Sequence, residues 1–243
     1  MIKHALTASA LALALAACSQ PAQPPETPAE PAAPVAPAAP APVETAPPLA
    51  GESLDGGLQG GTDQWKTVAS ADDQDRIARI DAAWTQAMRE ADREFGAQID
   101  ALGLSAVKNA ALAPPPALQP APGKYRCRTL KFGSMDGAGL GYVPYPWFSC
   151  TVELTPGGDL ILTKTGGSQR TKGLLYPDES NPKRLIYVGA PAWGADEKGF
   201  PGYGQMPERD QVGAFERIGN GRYRVVFPFP KQESKLDILE IRS

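Results

Sequence analysis

The chain has 243 residues with 24 basic and 27 acidic side chains, a net charge of −3, and a single histidine. That balance lacks the basic footprint that nucleic acid or an anionic membrane surface demands of a whole domain. With only His4 available, the sequence excludes a Ser-His-Asp or Cys-His centre and a multi-histidine zinc site from any chain that has lost its first residues.

The N-terminus reads Met1-Ile2-Lys3-His4, then an alanine- and leucine-rich run, then Leu15-Ala16-Ala17-Cys18. A short basic start, a brief apolar stretch and small residues before the cut describe a secretory signal over residues 1–17. The apolar run from Ala5 to Ala17 is shorter than the roughly 20 residues that span a bilayer. A cysteine directly after those small residues resembles a bacterial lipobox, which implies cleavage before Cys18 and acylation of its sulfur. The membrane, reached through that lipid, is therefore one expected partner. Ser19 rather than Asp follows the cysteine, which by resemblance to enterobacterial sorting favours a periplasm-facing position on the outer membrane. Cleavage also removes His4 and Lys3, leaving the mature chain at −4.

Residues 18–62 read as a tether. From Gln20 to Ala50, 11 of 31 residues are Pro and 10 are Ala, a composition that cannot bury enough apolar surface to fold. Its prolines favour extended polyproline II, at about 3.1 Å per residue, so the tract reaches on the order of 95 Å when stiff. Gly51 to Thr62 continues it in a glycine-rich form.

Residues 63–122 carry a helical segment and a Pro-rich connector. Ser70 is the expected N-cap, with Asp72 and Asp73 in the first turn. Apolar residues then recur at Ile77, Ile80, Trp84, Met88, Ala91, Phe95, Ile99 and Leu102, the three- and four-residue steps of one helical face. Gly96 is the expected weak point and Gly103 the expected stop. A further helical turn is expected over Leu104–Leu112, ended by Pro114-Pro115-Pro116.

Residues 123–243 change to short β-runs: 124–132, 147–154, 159–164, 169–176, 184–190, 212–218, 222–227 and 235–241. Alternation is clearest where Phe148, Cys150, Val152 and Leu154 face one way, and Ser149, Thr151 and Glu153 the other. Pro156-Gly157-Gly158, Gly166-Gly167, Asn181-Pro182 and Gly219-Asn220-Gly221 mark hairpins. The expected fold is α+β: an amphipathic helix, then a mainly antiparallel eight-stranded meander closed into a small barrel, with a two-sheet sandwich as the alternative. In an oxidising compartment Cys127 and Cys150 read as a disulfide between the first two strands. The chain-entropy treatment of that loop gives about 3.4 kcal/mol.

The stretch from Trp65 to the C-terminus resembles the bacterial family of domain of unknown function 4893. The resemblance is carried by Gly123-Lys-Tyr-Arg-Cys127-Arg, Thr165-Gly-Gly-Ser-Gln-Arg170, Leu175-Tyr-Pro-Asp178, Glu208-Arg-Asp210, Phe215-Glu-Arg-Ile218 and Glu233-Ser-Lys-Leu-Asp237. It implies no catalytic role. A weaker likeness joins the chain to small calycin-type barrels, although Tyr125 stands where lipocalins usually carry tryptophan after Gly-x.

Candidate binding residues concentrate in the aromatic loop Tyr142, Tyr145, Trp147, Phe148, which Phe200 and Tyr203 of another loop are expected to approach. Ser168, Arg170 and Arg209 add polar and cationic groups suited to an anion. Glu208, Asp210, Glu216, Glu233 and Asp237 are candidate paired carboxylates, but each lies near Arg or Lys and reads first as an ion-pair partner. Ser180-Asn-Pro-Lys183 and Lys164-Thr-Gly166 match fragments of serine β-lactamase motifs in reversed order, in a hairpin rather than at a helix start. The sequence thus favours a non-enzymatic envelope module without cofactor or metal, binding a periplasmic protein, a glycan or a small molecule. An inhibitor or accessory factor of a periplasmic hydrolase and a carboxylate-dependent cell-wall glycan enzyme are the alternatives.

Overall fold

The computed structural model describes residues 63–101 and 118–243. The signal, Cys18, the tether, the stop at Gly103 and the turn expected over Leu104–Leu112 lie outside the described residues.

Among the described residues three helices precede the sheet: α1 (Trp65–Val68), α2 (Ala71–Ala78) and α3 (Ile80–Ala101). Ser70 caps α2 by accepting the Asp73 N–H at 3.2 Å. The single helix expected from Ser70 onward is therefore divided, and the division falls at Arg79 rather than at Gly96. Arg79 leaves helical geometry, its N–H still donating to the carbonyls of Asp75 and Arg76. The break has a packing reason. α1 and α2 place Trp65, Ala69 and Ile77 against Ile161, Leu174, Ile186 and Val212, whereas α3 places Trp84, Ala87 and Ile99 against Leu130, Phe132 and Ile238. One straight rod cannot follow both patches of a curved barrel wall.

Nine strands follow: β1 (Gly123–Ser134), β2 (Tyr142–Pro144), β3 (Phe148–Leu154), β4 (Leu160–Lys164), β5 (Arg170–Pro177), β6 (Leu185–Ala192), β7 (Gln211–Gly219), β8 (Arg222–Pro228) and β9 (Ser234–Arg242). Each of β3 to β9 pairs antiparallel with the next, and β1 pairs with β3 on one side and β9 on the other. The result is a closed eight-stranded antiparallel barrel, with β2 as a short extra strand on the C-terminal half of β1. Closure through the β1–β9 ladder removes the free sheet edges that an open meander would expose. β2 is hidden in sequence because three residues carry too little alternation to register.

An eight-stranded barrel is just wide enough for side chains to fill. Here the filling is uneven. Around one end the inward residues are Cys127, Cys150, Val152, Leu160, Leu175, Leu185, Phe215, Tyr223 and Ile241, with Leu118 packed among them. Cys127 and Cys150 are disulfide-bonded across β1 and β3, with Cα atoms 5.9 Å apart. Turns at residues 155–159, 178–184 and 220–221 close this end. The opposite end carries the connections at 135–141, 165–169 and 229–233 and the longest loop, 193–210.

Candidate functional site

The long-loop end of the barrel holds a cavity of about 60 Å³ whose floor and walls are inward strand residues. Thr129 and Lys131 come from β1, Lys164 from β4, Thr171 from β5, Gln211 from β7, Phe227 from β8, and Asp237 and Leu239 from β9. The alternation that buries leucines at the closed end delivers these polar groups here, two or four residues along the same strands. Trp193, Glu208, Arg209 and Asp210 of the β6–β7 loop, and Lys231 and Gln232 of the β8–β9 loop, form the rim.

Behind the lining residue Thr171 stands Tyr187, fully buried on β6. Its ring fits because β5 and β6 have glycines opposite each other at 173 and 189. A Cβ on Gly173 would sit 2.5 Å from the Tyr187 ring, and one on Gly189 would sit 2.2 Å from the Lys172 carbonyl. The Tyr187 hydroxyl shares a 2.5 Å hydrogen bond with Thr171 Oγ1, which donates to Gln211 Oε1 at 2.8 Å. Burial pushes the Tyr187 phenol well above its usual value, so it stays neutral. This chain ends at the cavity.

Two lysines face the same space in different states. Lys131 lies 3.2 Å from Asp237 Oδ2 and 3.2 Å from Glu233 Oε2. Burial works against its charge, but the attraction of Asp237 and Glu233 prevails and raises its pKa. Asp237, whose carboxylate also accepts from Ser234 Oγ, is held above the ordinary carboxylate range by burial despite those partners. Lys164 is 4% exposed. Its Nζ donates to the carbonyls of Gly166 and Gln169, both at 2.7 Å, and lies 4.5 Å from the Phe148 ring centre. No carboxylate pairs with it among the described residues. Burial first, then Arg170 and Lys131, bring its pKa down to about 8.

The β6–β7 loop is fixed at both margins. Glu197 accepts the N–H groups of Trp193 (3.1 Å) and Gly194 (3.0 Å) and the Arg209 guanidinium (2.7 Å), and these hold its pKa below the usual value. Arg209 lies 4.4 Å over the Trp193 ring, and its buried Nε has no hydrogen-bond partner among the described residues. Asp210 accepts the Gly204 N–H at 2.7 Å, yet burial leaves its pKa raised. On the far side, Tyr203 accepts the Ser70 N–H at 2.9 Å and donates to Asp73, fastening the loop to α2.

The sequence-derived candidates scatter. Arg209 lines the mouth, and Ser168 is exposed in the loop between β4 and β5. Arg170 lies 5.4 Å from the Phe200 ring and donates to the Gly194 carbonyl at 3.2 Å, so it braces the loop. Tyr142 is buried beneath α3, 5.1 Å from Phe132 and 5.9 Å from Phe95 between ring centres. Tyr203 belongs to the separate cluster under α2. The expected convergence of the two aromatic loops therefore does not occur, because Tyr142 and Tyr203 pack under different helices. Tyr145 is half-buried, its N–H bonded to the Thr129 carbonyl at 2.9 Å. Trp147 lies on the outer wall among arginines. Of the candidate carboxylates, Glu208, Asp210 and Asp237 reach the cavity, while Glu216 pairs outside with Arg224 at 2.5 Å. Ser180 Oγ donates to Asp178 at 2.6 Å in a surface turn. Lys131, Lys164, Thr171 and Gln211 were missed. Their signal was available: each is a polar residue at an inward position of its strand.

Among the described residues no cluster of three or more His, Cys, Asp or Glu side chains is disposed to hold a metal ion. No described helix is long and apolar enough to cross a membrane. In comparisons with known proteins, the profile of a family described as a domain of unknown function (DUF4893) matches residues 65–241. No curated protein and no solved structure matches the chain.

Proposed function

The chain belongs to the DUF4893 family, and from that premise we propose that its barrel is a non-enzymatic binding module taking a small anionic group at the long-loop end. The observation that carries this reading is Lys164: a buried cation on the wall of a cavity, held by two neutral carbonyls and lacking a carboxylate partner among the described residues. Buried charges are ordinarily paired, because desolvation costs several kcal/mol per ion. A ligand carboxylate or phosphate would complete the pairing. The cavity is small, about 60 Å³, which suits a single charged group beside Lys164. The rest of the ligand would lie on the rim formed by Trp193 and Arg209.

The experiment is calorimetric titration of the protein with acetate, butyrate and a phosphomonoester. Saturable binding that survives Lys183→Ser and is lost in both Lys164→Met and Arg209→Met supports the reading. Equal heats from all variants would sink it.

A second reading, a carboxylate-dependent glycan hydrolase, draws on Asp210 and Asp237, which line one cavity and are both held above the ordinary carboxylate range by burial. Release of reducing ends from cell-wall fragments, abolished by Asp210→Asn, would replace the binding-module reading.

For its address we propose a periplasm-facing lipoprotein anchored through Cys18. The Cys127–Cys150 disulfide supports an oxidising compartment. Mass spectrometry of the cellular protein is expected to find acylated Cys18 as the first residue; an intact Met1 would contradict it.

A further inference from the structure

The outer wall of the barrel carries two neighbouring rows of charge built on opposite rules. In one row Arg128, Glu240, Arg224 and Glu216 are successive cross-strand partners over β1, β9, β8 and β7, so the signs alternate. In the next row, two residues along each strand, the partners are Ser149, Arg126, Arg242 and Arg222 over β3, β1, β9 and β8. Here three arginines stand directly opposite one another. Like charges in that position repel, and the neighbouring row shows the same sheet accommodating a balanced arrangement.

The arginine row is also ordered. Trp147 packs against two of its members, the guanidinium carbons of Arg242 and Arg126 lying 4.8 and 5.8 Å from its ring centre, with Arg128 of the first row at 4.7 Å. Stacking of this kind holds the planes and leaves the N–H edges pointing outward. Arg126 and Arg242 are exposed, and the Arg222 side chain is 42% exposed. Among the described residues a single carboxylate reaches the row: Glu240, 3% exposed, lies 2.5 Å from Arg242 and 3.7 Å from Arg222. Glu240 is shared with Arg128 at 2.8 Å. The Nε of Arg222 has no hydrogen-bond partner among the described residues.

We propose that this face docks on a bilayer surface bearing anionic phospholipid, its arginine row meeting headgroup phosphates. Adjacent strands lie about 4.8 Å apart, so the row presents three forked donors across roughly 10 Å of gently curved wall. That geometry suits a plane of separate phosphates better than one small anion in a pocket. Guanidinium edges and phosphate oxygens are matched in charge and shape. The choice of a membrane as occupant rests on the proposed lipid anchor, whose tether is long enough to let the barrel fold back onto the bilayer. Tethering makes a weak surface attraction sufficient, because the second contact becomes intramolecular.

The test uses the full chain carrying Cys18→Ala, which cannot be acylated, and vesicles of phosphatidylcholine with or without phosphatidylglycerol. The difference between the two vesicle types cancels whatever the apolar N-terminus contributes. We expect preferential sedimentation with the anionic vesicles, weakened about fivefold for each of Arg126→Ser, Arg242→Ser and Arg222→Ser and about a hundredfold for the triple variant. Lys183→Ser is the control and should bind as the parent, and high salt should release the protein. Unchanged melting of the variants separates loss of binding from loss of fold. Equal binding to both vesicle types, or a triple variant that binds like its parent, overturns the proposal. Retention by soluble polyphosphate with no preference for anionic vesicles also overturns it, in favour of a soluble polyanion. Absence of acyl chain on Cys18 in cells would remove the anchor without altering the vesicle result, so the two failures are distinguishable.

Discussion

The two ends of the barrel are made from the same strands and differ in everything that follows burial. At the disulfide end, the inward positions are apolar. At the other, the same strands turn Lys131, Lys164, Thr171, Gln211 and Asp237 inward, under the longest connection, 193–210. One end gains stability from every residue it buries. The other buries groups whose desolvation works against folding, and it keeps a small space beside them. A barrel that only had to be stable would carry leucine through to both ends.

This contrast can be broken or sharpened by substitution, starting with the largest effect. Phe215→Ala at the closed end is expected to cost about 4 kcal/mol in urea unfolding, as fully buried aromatic truncations do. Gln211→Leu at the open end is expected to cost about 2 kcal/mol, because it leaves the buried Thr171 hydroxyl without its acceptor. Comparable losses at the two sites would erase the distinction. Replacing Cys127 and Cys150 together by serine should remove about 3.4 kcal/mol, detected as a lower urea midpoint and mimicked by reductant on the parent protein.

Within the open end, Lys131→Met should cost about 3 kcal/mol by leaving Asp237 buried without its cation, and adding Asp237→Leu should return most of that loss. A double variant as unstable as the single would mean that the pair is not the source of the effect. The smallest effect is a pH dependence. The Lys164 pKa is about 8 when folded and ordinarily near 10.5, so above pH 8 the unfolded chain holds the proton that the folded chain has lost. Stability of the parent relative to Lys164→Met should therefore rise between about pH 8 and 10. Lys131 has the opposite sign: its raised pKa favours folding below 10.5, a contribution lost at still higher pH. A flat difference curve from pH 7.5 to 9.5 would refute the assignment for Lys164.

Most of the fold was legible because each strand carries its own alternation and each hairpin its own glycine or proline. The strands expected at 147–154, 159–164 and 222–227 form as Phe148–Leu154, Leu160–Lys164 and Arg222–Pro228. The division of the helix at Arg79 was not legible, since the apolar stripe runs through it unbroken; only the shape of the barrel beneath decides where the stripe must turn. The site was less legible for a related reason. Aromatic clusters such as Tyr142 to Phe148 attract attention in a sequence, yet Tyr142 serves the packing under α3 and Trp147 orders arginines on the outer wall. Lys164 gave a weaker signal, one lysine in register with Leu160 and Leu162. Its meaning depends on seven other strands bringing Thr171, Gln211 and Asp237 to the same space.

The central claim, that the polar end receives an anion beside Lys164, is tested most directly by NMR of lysine side chains carrying carbon-13 at Cε. In free protein the Lys164 signal should titrate with a midpoint near 8. Saturating butyrate or a phosphomonoester should move that midpoint upward, because a bound anion favours the ammonium, while Lys183 stays unchanged. A Lys164 midpoint indifferent to every anion tested, or one near 10.5 from the start, would contradict the account.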